Sequence, residues 1–149
     1  MSFLPQTVGN GTGKASQVNI NDLITTIRHD DVLMMRIETE QIKDSIVAHD
    51  LKYILSHTVR KSQATKFVLD MGNLTFMTSL GCVAFISVKH AVREKQGRLV
   101  LCNIMPFIHK IFTAKRLLQP SQHNGKVAFE CADSLEEALE MLSPTGSEV

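Results

Sequence analysis

The chain is poor in aromatic residues: it has no Trp and one Tyr, and Phe, Trp and Tyr together make up 5% of its 149 residues. Stacking platforms for single-stranded nucleic acid are therefore scarce. An excess of one charge is also missing, since 16 Lys and Arg face 15 Asp and Glu for a formal net charge of +1. Such a balance creates no long-range field to gather DNA, RNA or an anionic membrane. The three cysteines, Cys82, Cys102 and Cys131, form no CxxC pair. Each sits in an apolar run, where a free thiol behaves as a small hydrophobe, and their odd number fits a reducing compartment better than a disulfide framework. No window comes near the roughly eighteen uninterrupted apolar residues of a spanning helix. The first residues, MSFLPQTVGN, show neither the basic start nor the apolar stretch of a signal peptide. These absences predict a soluble, cytoplasmic protein with no nucleic-acid partner and no membrane insertion.

What remains is ordinary globular composition, 44% hydrophobic and 21% charged, in a length suited to one domain. Residues 5–16, PQTVGNGTGKAS, have almost nothing to bury, so residues 1–17 read as a flexible tail, 18–142 as the folded domain and 143–149 as a second tail. Inside the domain two patterns alternate. Short apolar runs at Val32–Ile37, Phe67–Met71, Leu99–Ile104 and Val127–Cys131 read as strands, three of them near-continuous as suits strands covered on both faces. Longer stretches carry helical spacing. Ile42 to Arg60 lines up Val47, Leu51, Ile54 and Thr58, with Leu55 and Val59 beside them. Ser79 to Gln96 lines up Leu80, Ala84, Val88 and Ala91, with its first half apolar nearly all round and Gly97 as its stop. Pro106 opens a third helix, and Ser134 with Glu137 forms a capping box for a fourth. Leu23–Arg28, followed by His29-Asp30-Asp31, turns back into Val32–Ile37 as a hairpin. The order β-β-α-β-α-β-α-β-α predicts an α/β fold. Its central sheet is mostly parallel with an antiparallel edge hairpin, joined by right-handed crossovers and flanked by about four helices.

In such a sheet the working site lies at the carboxyl ends of strands, where a turn feeds a helix. The turn after Phe67–Met71 runs Gly72-Asn73-Leu74-Thr75-Phe76-Met77-Thr78-Ser79-Leu80-Gly81 and brings two hydroxyls, Thr78 and Ser79, to a helix start. The simpler reading makes one of them an N-cap, worth about 1 kcal/mol. The sharper reading makes Ser79 a phosphorylation site, where a phosphate would face free amides and the positive end of the helix.

The stretch Lys66–Gly81, KFVLDMGNLTFMTSLG, resembles the signature of the STAS domain family, the anti-sigma factor antagonists. In that family an apolar strand ends in Asp, a turn carries an aromatic residue, and an Asp-Ser-Ser-Gly box opens the next helix. Here the strand Phe67-Val68-Leu69-Asp70, then Phe76, Ser79 and Gly81, occupy those positions. Agreement continues through Gly97–Asn103 and the terminal Ser134–Leu139, so the likeness runs from about Leu23 to Leu142. Thr78 stands in place of the box's Asp, Leu80 in place of its second serine, and Thr39 in place of a glycine after the second strand. The resemblance implies a STAS-like fold and a protein–protein switch. The unmodified antagonist binds an anti-sigma factor that is often a serine kinase, phosphorylation at the helix start ends the binding, and a phosphatase restores it. It makes Ser79 the phosphoacceptor, with Thr78 a weaker candidate, and Met77, Thr78, Ser79, Leu80 and Cys82 the partner-binding set. Ordinary core packing competes for Met77, Leu80 and Cys82 and is favoured for at least one. The alternative is an accessory subunit of a transporter, or a signalling scaffold, without a phospho-switch. A homodimer is compatible with either.

Other chemistry finds little support. His49 and His57 stand about two helical turns apart, too far to share a metal, and no HExxH or His-x-His spacing exists, so the six histidines read as scattered surface residues with no metal to hold. Cys82 lies near a helix N-terminus, where a thiol pKa falls, but no base partner is identifiable. Gly9-Asn10-Gly11-Thr12-Gly13-Lys14 lacks phosphate-loop spacing and a preceding strand. Asp70 reads as a structural carboxylate bonding turn amides, and Lys110, Lys115 and Arg116 read as a solvated face that could attract an acidic partner. No cofactor and no catalytic residue is assigned.

Overall fold

In the computed structural model, which describes residues 20–118 and 129–143, a five-stranded sheet carries helices on both faces. Strands β1 (Ile24–His29) and β2 (Val32–Ile37) form the antiparallel hairpin; β4 (Lys66–Asp70), β6 (Arg98–Cys102) and β7 (Glu130–Ala132) extend it in parallel, in the order β1-β2-β4-β6-β7. The hairpin turns on Asp30, whose φ of 55° is a conformation that Asp tolerates. Helices α1 (Ser45–Lys61), α2 (Cys82–Glu94), α3 (Pro106–Ala114) and α4 (Leu135–Met141) complete the predicted order. The two predicted tails, apart from Ser143, lie outside the described residues, as do Val127 and Ala128 of the predicted last strand. That strand is displaced toward the C-terminus and begins at Glu130.

Alternation along the central strands divides the core in two. Met35, Ile37, Phe67, Leu69, Leu99 and Leu101 point to one face and meet Leu51, Leu55 and Val59 of α1, Phe85 and Val88 of α2, and Phe112 of α3. Val32, Met34, Val68, Val100 and Cys102 point to the other and meet Ala138 and Leu142 at the last helix. A side chain of this size contributes about 1.5–3 kcal/mol when fully buried, so both faces of the near-continuous apolar runs stabilise the sheet.

The helix boundaries follow local chemistry. Helix α1 starts three residues after the predicted Ile42, because Asp44 is its N-cap: Asp44 Oδ1 accepts the Val47 amide at 2.9 Å. Its C-terminus is closed from outside by Lys95, whose ammonium donates to the carbonyls of Val59 and Ser62 and lies 5.5 Å from the Phe67 ring centre. Ser134 Oγ accepts the Glu137 amide at 3.1 Å, the predicted cap of α4. Pro106 occupies the first turn of α3 as expected.

Two further features differ from expectation. The first is a second, two-stranded parallel sheet, in which β3 (Gln41–Ile42) pairs with β5 (Phe76–Met77). Two-residue strands are too short to show periodicity, so nothing in the apolar pattern announced them. The second is the role of Gly97. The left-handed residue ending α2 is Gln96, with φ 57°, and the Gly97 amide donates to the Val92 carbonyl at 2.9 Å. Glycine is required at 97 by closeness rather than by turn geometry, because a Cβ there would stand 2.3 Å from the Thr65 carbonyl oxygen.

Gly97→Ala is accordingly expected to destabilise the fold by about 2–4 kcal/mol, read as a lower urea midpoint. A pH effect follows from Cys102. Burial, and secondarily the charges of Asp70 and Glu136, push its thiol up to about 12. The unfolded thiol ionises near pH 8.5, so the unfolded chain releases its proton first. The contribution is full below about pH 8.5 and declines as pH rises toward the folded value. In chemical denaturation, Cys102→Ala should therefore lose stability less steeply than the parent between about pH 9 and 11.

Candidate functional site

The carboxyl ends of β2, β4 and β6 converge on Asp70, which is 7% exposed. Its Oδ1 accepts the Gly72 amide at 3.0 Å and Asn103 Nδ2 at 3.2 Å, and its Oδ2 accepts Arg36 Nε at 3.3 Å. This is the structural carboxylate expected from the sequence, with a strand neighbour and an asparagine added to the turn amide. Asn103 reaches it from a left-handed backbone, φ 58°, which asparagine tolerates.

From Asp70 the chain is led outward by backbone bonds. The Leu74 amide donates to the Met71 carbonyl at 3.1 Å, and the Thr75 and Phe76 amides donate to the Glu40 carbonyl at 2.9 and 3.3 Å. Glu38 holds the same loop from the side, accepting Asn73 Nδ2 at 3.1 Å and Thr25 Oγ1 at 2.7 Å. After β5, the Thr78 amide donates to the Ile42 carbonyl at 3.0 Å, which delivers the chain to a single 3-10 turn, Ser79–Gly81, continuous with α2.

The predicted site residues separate at this turn. Ser79 and Leu80 are exposed. Thr78 takes the N-cap position with extended backbone, yet its side chain makes no capping bond and its Oγ1 is buried without a partner. The expectation that one hydroxyl caps the helix therefore fails for Thr78, whose oxygen is turned inward. Met77 and Cys82, predicted as partner contacts, are 1% and 5% exposed and belong to the core on the α1–α2 face. Met77 alternates inward because β5 is extended, and Cys82 opens the buried stripe of α2. Leu80 departs the other way: expected on that stripe, it is 46% exposed because it precedes the α-helix in the 3-10 turn. The Cys82 thiol is not activated by the helix start. Burial pushes its pKa up, opposed by the nearby Lys115 charge.

Several surface residues here were missed. Phe76 stacks on Phe107 of α3 with ring centres 5.2 Å apart and planes inclined by 17°, although both rings are open to solvent. Met105, Val83 and Ile86 are exposed too. The signal existed: Ile108 and Phe112 are the buried face of α3, and Phe107 falls outside that stripe, as Val83 and Ile86 fall outside Ala84, Val88 and Ala91. Of the remaining predictions, Cys131 is exposed rather than buried. His49, His57 and His90 line a common groove between α1 and α2 rather than scattering. Among the described residues no three His, Cys, Asp or Glu side chains are placed to hold a metal ion, and no helix is long and apolar enough to cross a membrane.

A model of the STAS domain matches residues 24–138. The chain belongs to the STAS domain family. Over 71 residues this STAS domain is 32% identical to BtrV of Bordetella bronchiseptica, named as an anti-sigma factor antagonist; the match covers 48% of this chain and 60% of BtrV. The Bacillus cell fate determinant SpoIIAA in its phosphorylated form superposes with a TM-score of 0.57 at 16% identity, over 80% of this chain and 99% of that one. An anti-sigma factor antagonist from Mycobacterium paratuberculosis gives 0.59 at 20% identity, over 79% of this chain and 91% of that one. At these identities the structural likeness establishes the α/β fold with its antiparallel edge.

Asp70→Asn keeps the shape but removes the charge that Arg36 and Asn103 address. A loss of about 2 kcal/mol is expected in urea denaturation, since charge-assisted bonds carry roughly 1.5–3 kcal/mol.

Proposed function

We propose that this STAS domain is an anti-sigma factor antagonist in a partner switch. Its unmodified α2 start binds an anti-sigma factor that is also a serine kinase, and phosphorylation of Ser79 ends that binding. A phosphatase reverses the mark, and the outcome is control of sigma-factor-dependent transcription in the cytoplasm. The protein acts by binding rather than by catalysis. The observation that carries this reading is the contrast between neighbouring hydroxyl residues: Ser79 is exposed at the helix start, whereas Thr78 Oγ1 is buried. Thr78, the weaker candidate, is sealed from an incoming kinase in this conformation.

The surroundings suit both states. Leu80, Val83, Phe76 and Phe107 are large apolar side chains open to solvent at or next to this turn, the kind of anchor on which protein interfaces depend. A phosphate on Ser79 adds about −1.5 to −2 charge where the α2 dipole is positive, so the carrier tolerates it. A partner packed over the apolar rim must bury that dianion. Even about 3 kcal/mol of penalty weakens binding on the order of a hundredfold.

A second reading, an accessory subunit of a transporter or a signalling scaffold without a switch, is favoured by Thr78 standing where the family's box has Asp. The two separate experimentally. After incubation with the cognate anti-sigma kinase and ATP, mass spectrometry should find one phosphate at Ser79 and none at Thr78. Ser79→Asp should bind the partner on the order of a hundredfold more weakly than Ser79→Ala. Leu80→Ala and Phe107→Ala should each cost about tenfold or more in Kd. Equal binding of the two Ser79 variants would favour the scaffold.

A further inference from the structure

We infer that the groove between the outer faces of α1 and α2 binds a small organic phosphate, one that joins a planar ring to a phosphoryl dianion. The groove has a volume of about 440 Å³, within the range that small-molecule sites occupy. Its lining combines two chemistries. Lys52 and Arg60 of α1 supply cationic groups, His90 of α2 lines the groove with them, and no carboxylate lines it among the described residues. Glu94 stands beside it and accepts Arg60 Nε at 3.3 Å, but both side chains are more than half exposed, so the pair is weak. A guanidinium has five N–H donors, so Arg60 keeps others for an anion.

The second chemistry is a flat wall. Tyr53 and His57, one turn apart on α1, stack with ring centres 5.5 Å apart and planes within 8°. Tyr53 is 58% exposed, so its ring is open to solvent. An offset-stacked pair presents a surface on which a further planar ring gains contact. Ser56 and Ser87 complete the lining, and Ser56, at 6% exposure, has its Oγ closed off below the groove surface. The site is independent of Ser79, which lies at the start of α2, before its first turn. A negative kinase experiment leaves it standing.

The test is an NMR titration of the full chain with phenyl phosphate, with phenol and inorganic phosphate as separate arms. Saturable shifts are expected at the backbone amides of Lys52, Ser56 and Ser87, with phenyl phosphate binding at least tenfold more tightly than either fragment. Lys52→Met and Arg60→Met, both on the surface of α1, should each weaken phenyl phosphate about tenfold without moving the urea midpoint. The proposal is overturned if phenyl phosphate gives no saturable shift or if its shifts map away from the groove. It is equally overturned if inorganic phosphate or phenol binds as tightly, or if both variants bind like the parent.

Discussion

A single buried carboxylate organises the working edge of this domain. Strand register sets Arg36 opposite Asp70 on one side and Cys102, next to Asn103, opposite it on the other. A lone carboxylate inside a protein is costly, so Asp70 is tolerable only while β2, the residue after β6 and the turn after β4 each deliver a donor. Those three contacts fix where the strands end relative to one another. They also fix the direction in which residues 71–75 leave the sheet, and hence where α2 begins.

From that point, backbone geometry sorts residues that look alike. β5 is extended, so Phe76 faces solvent and Met77 faces the core. The 3-10 turn then advances by a different angle per residue than the α-helix that follows, which puts Ser79 and Leu80 outside and Cys82 inside. Thr78 and Ser79 carry the same functional group one residue apart, and only the second is exposed. The apolar side chains at this end of the molecule thus fall into two populations, one holding the helix to the sheet and one left uncovered.

Helix α2 is common to both surfaces described here. Its start carries the Ser79 turn, and its outer face forms one wall of the groove with α1. The spacing of those walls is held by buried contacts along the whole α1–α2 seam and by Lys95, which reaches from the end of α2 to cap the last carbonyls of α1. The close approach of Gly97 to Thr65 seats the following strand beneath the same seam. Both surfaces are therefore mounted on rigid elements, although the groove side chains come mostly from α1 and the exposed Ser79 from the turn before α2.

The alternation of apolar runs and 3.6-residue stripes was enough to determine the order of the main-sheet strands and the helices, the hairpin at Asp30-Asp31, the helix starts at Pro106 and Ser134, and the strand-end turn as the place of interest. Those properties are written in local periodicity and capping chemistry, which any short window of sequence displays. It was also enough to mark Asp70 as structural, because a carboxylate closing an apolar strand needs donors nearby. The tertiary structure alone decided the pairing of β3 with β5 across more than thirty residues, the burial of Met77, Cys82 and Thr78 Oγ1, the stacking of Phe76 on Phe107, and the gathering of His49, His57 and His90 into one groove. Each of these depends on how distant segments meet. A linear pattern records which residues are apolar or ionisable, but their exposure and neighbours are set only when the sheet register brings the segments together.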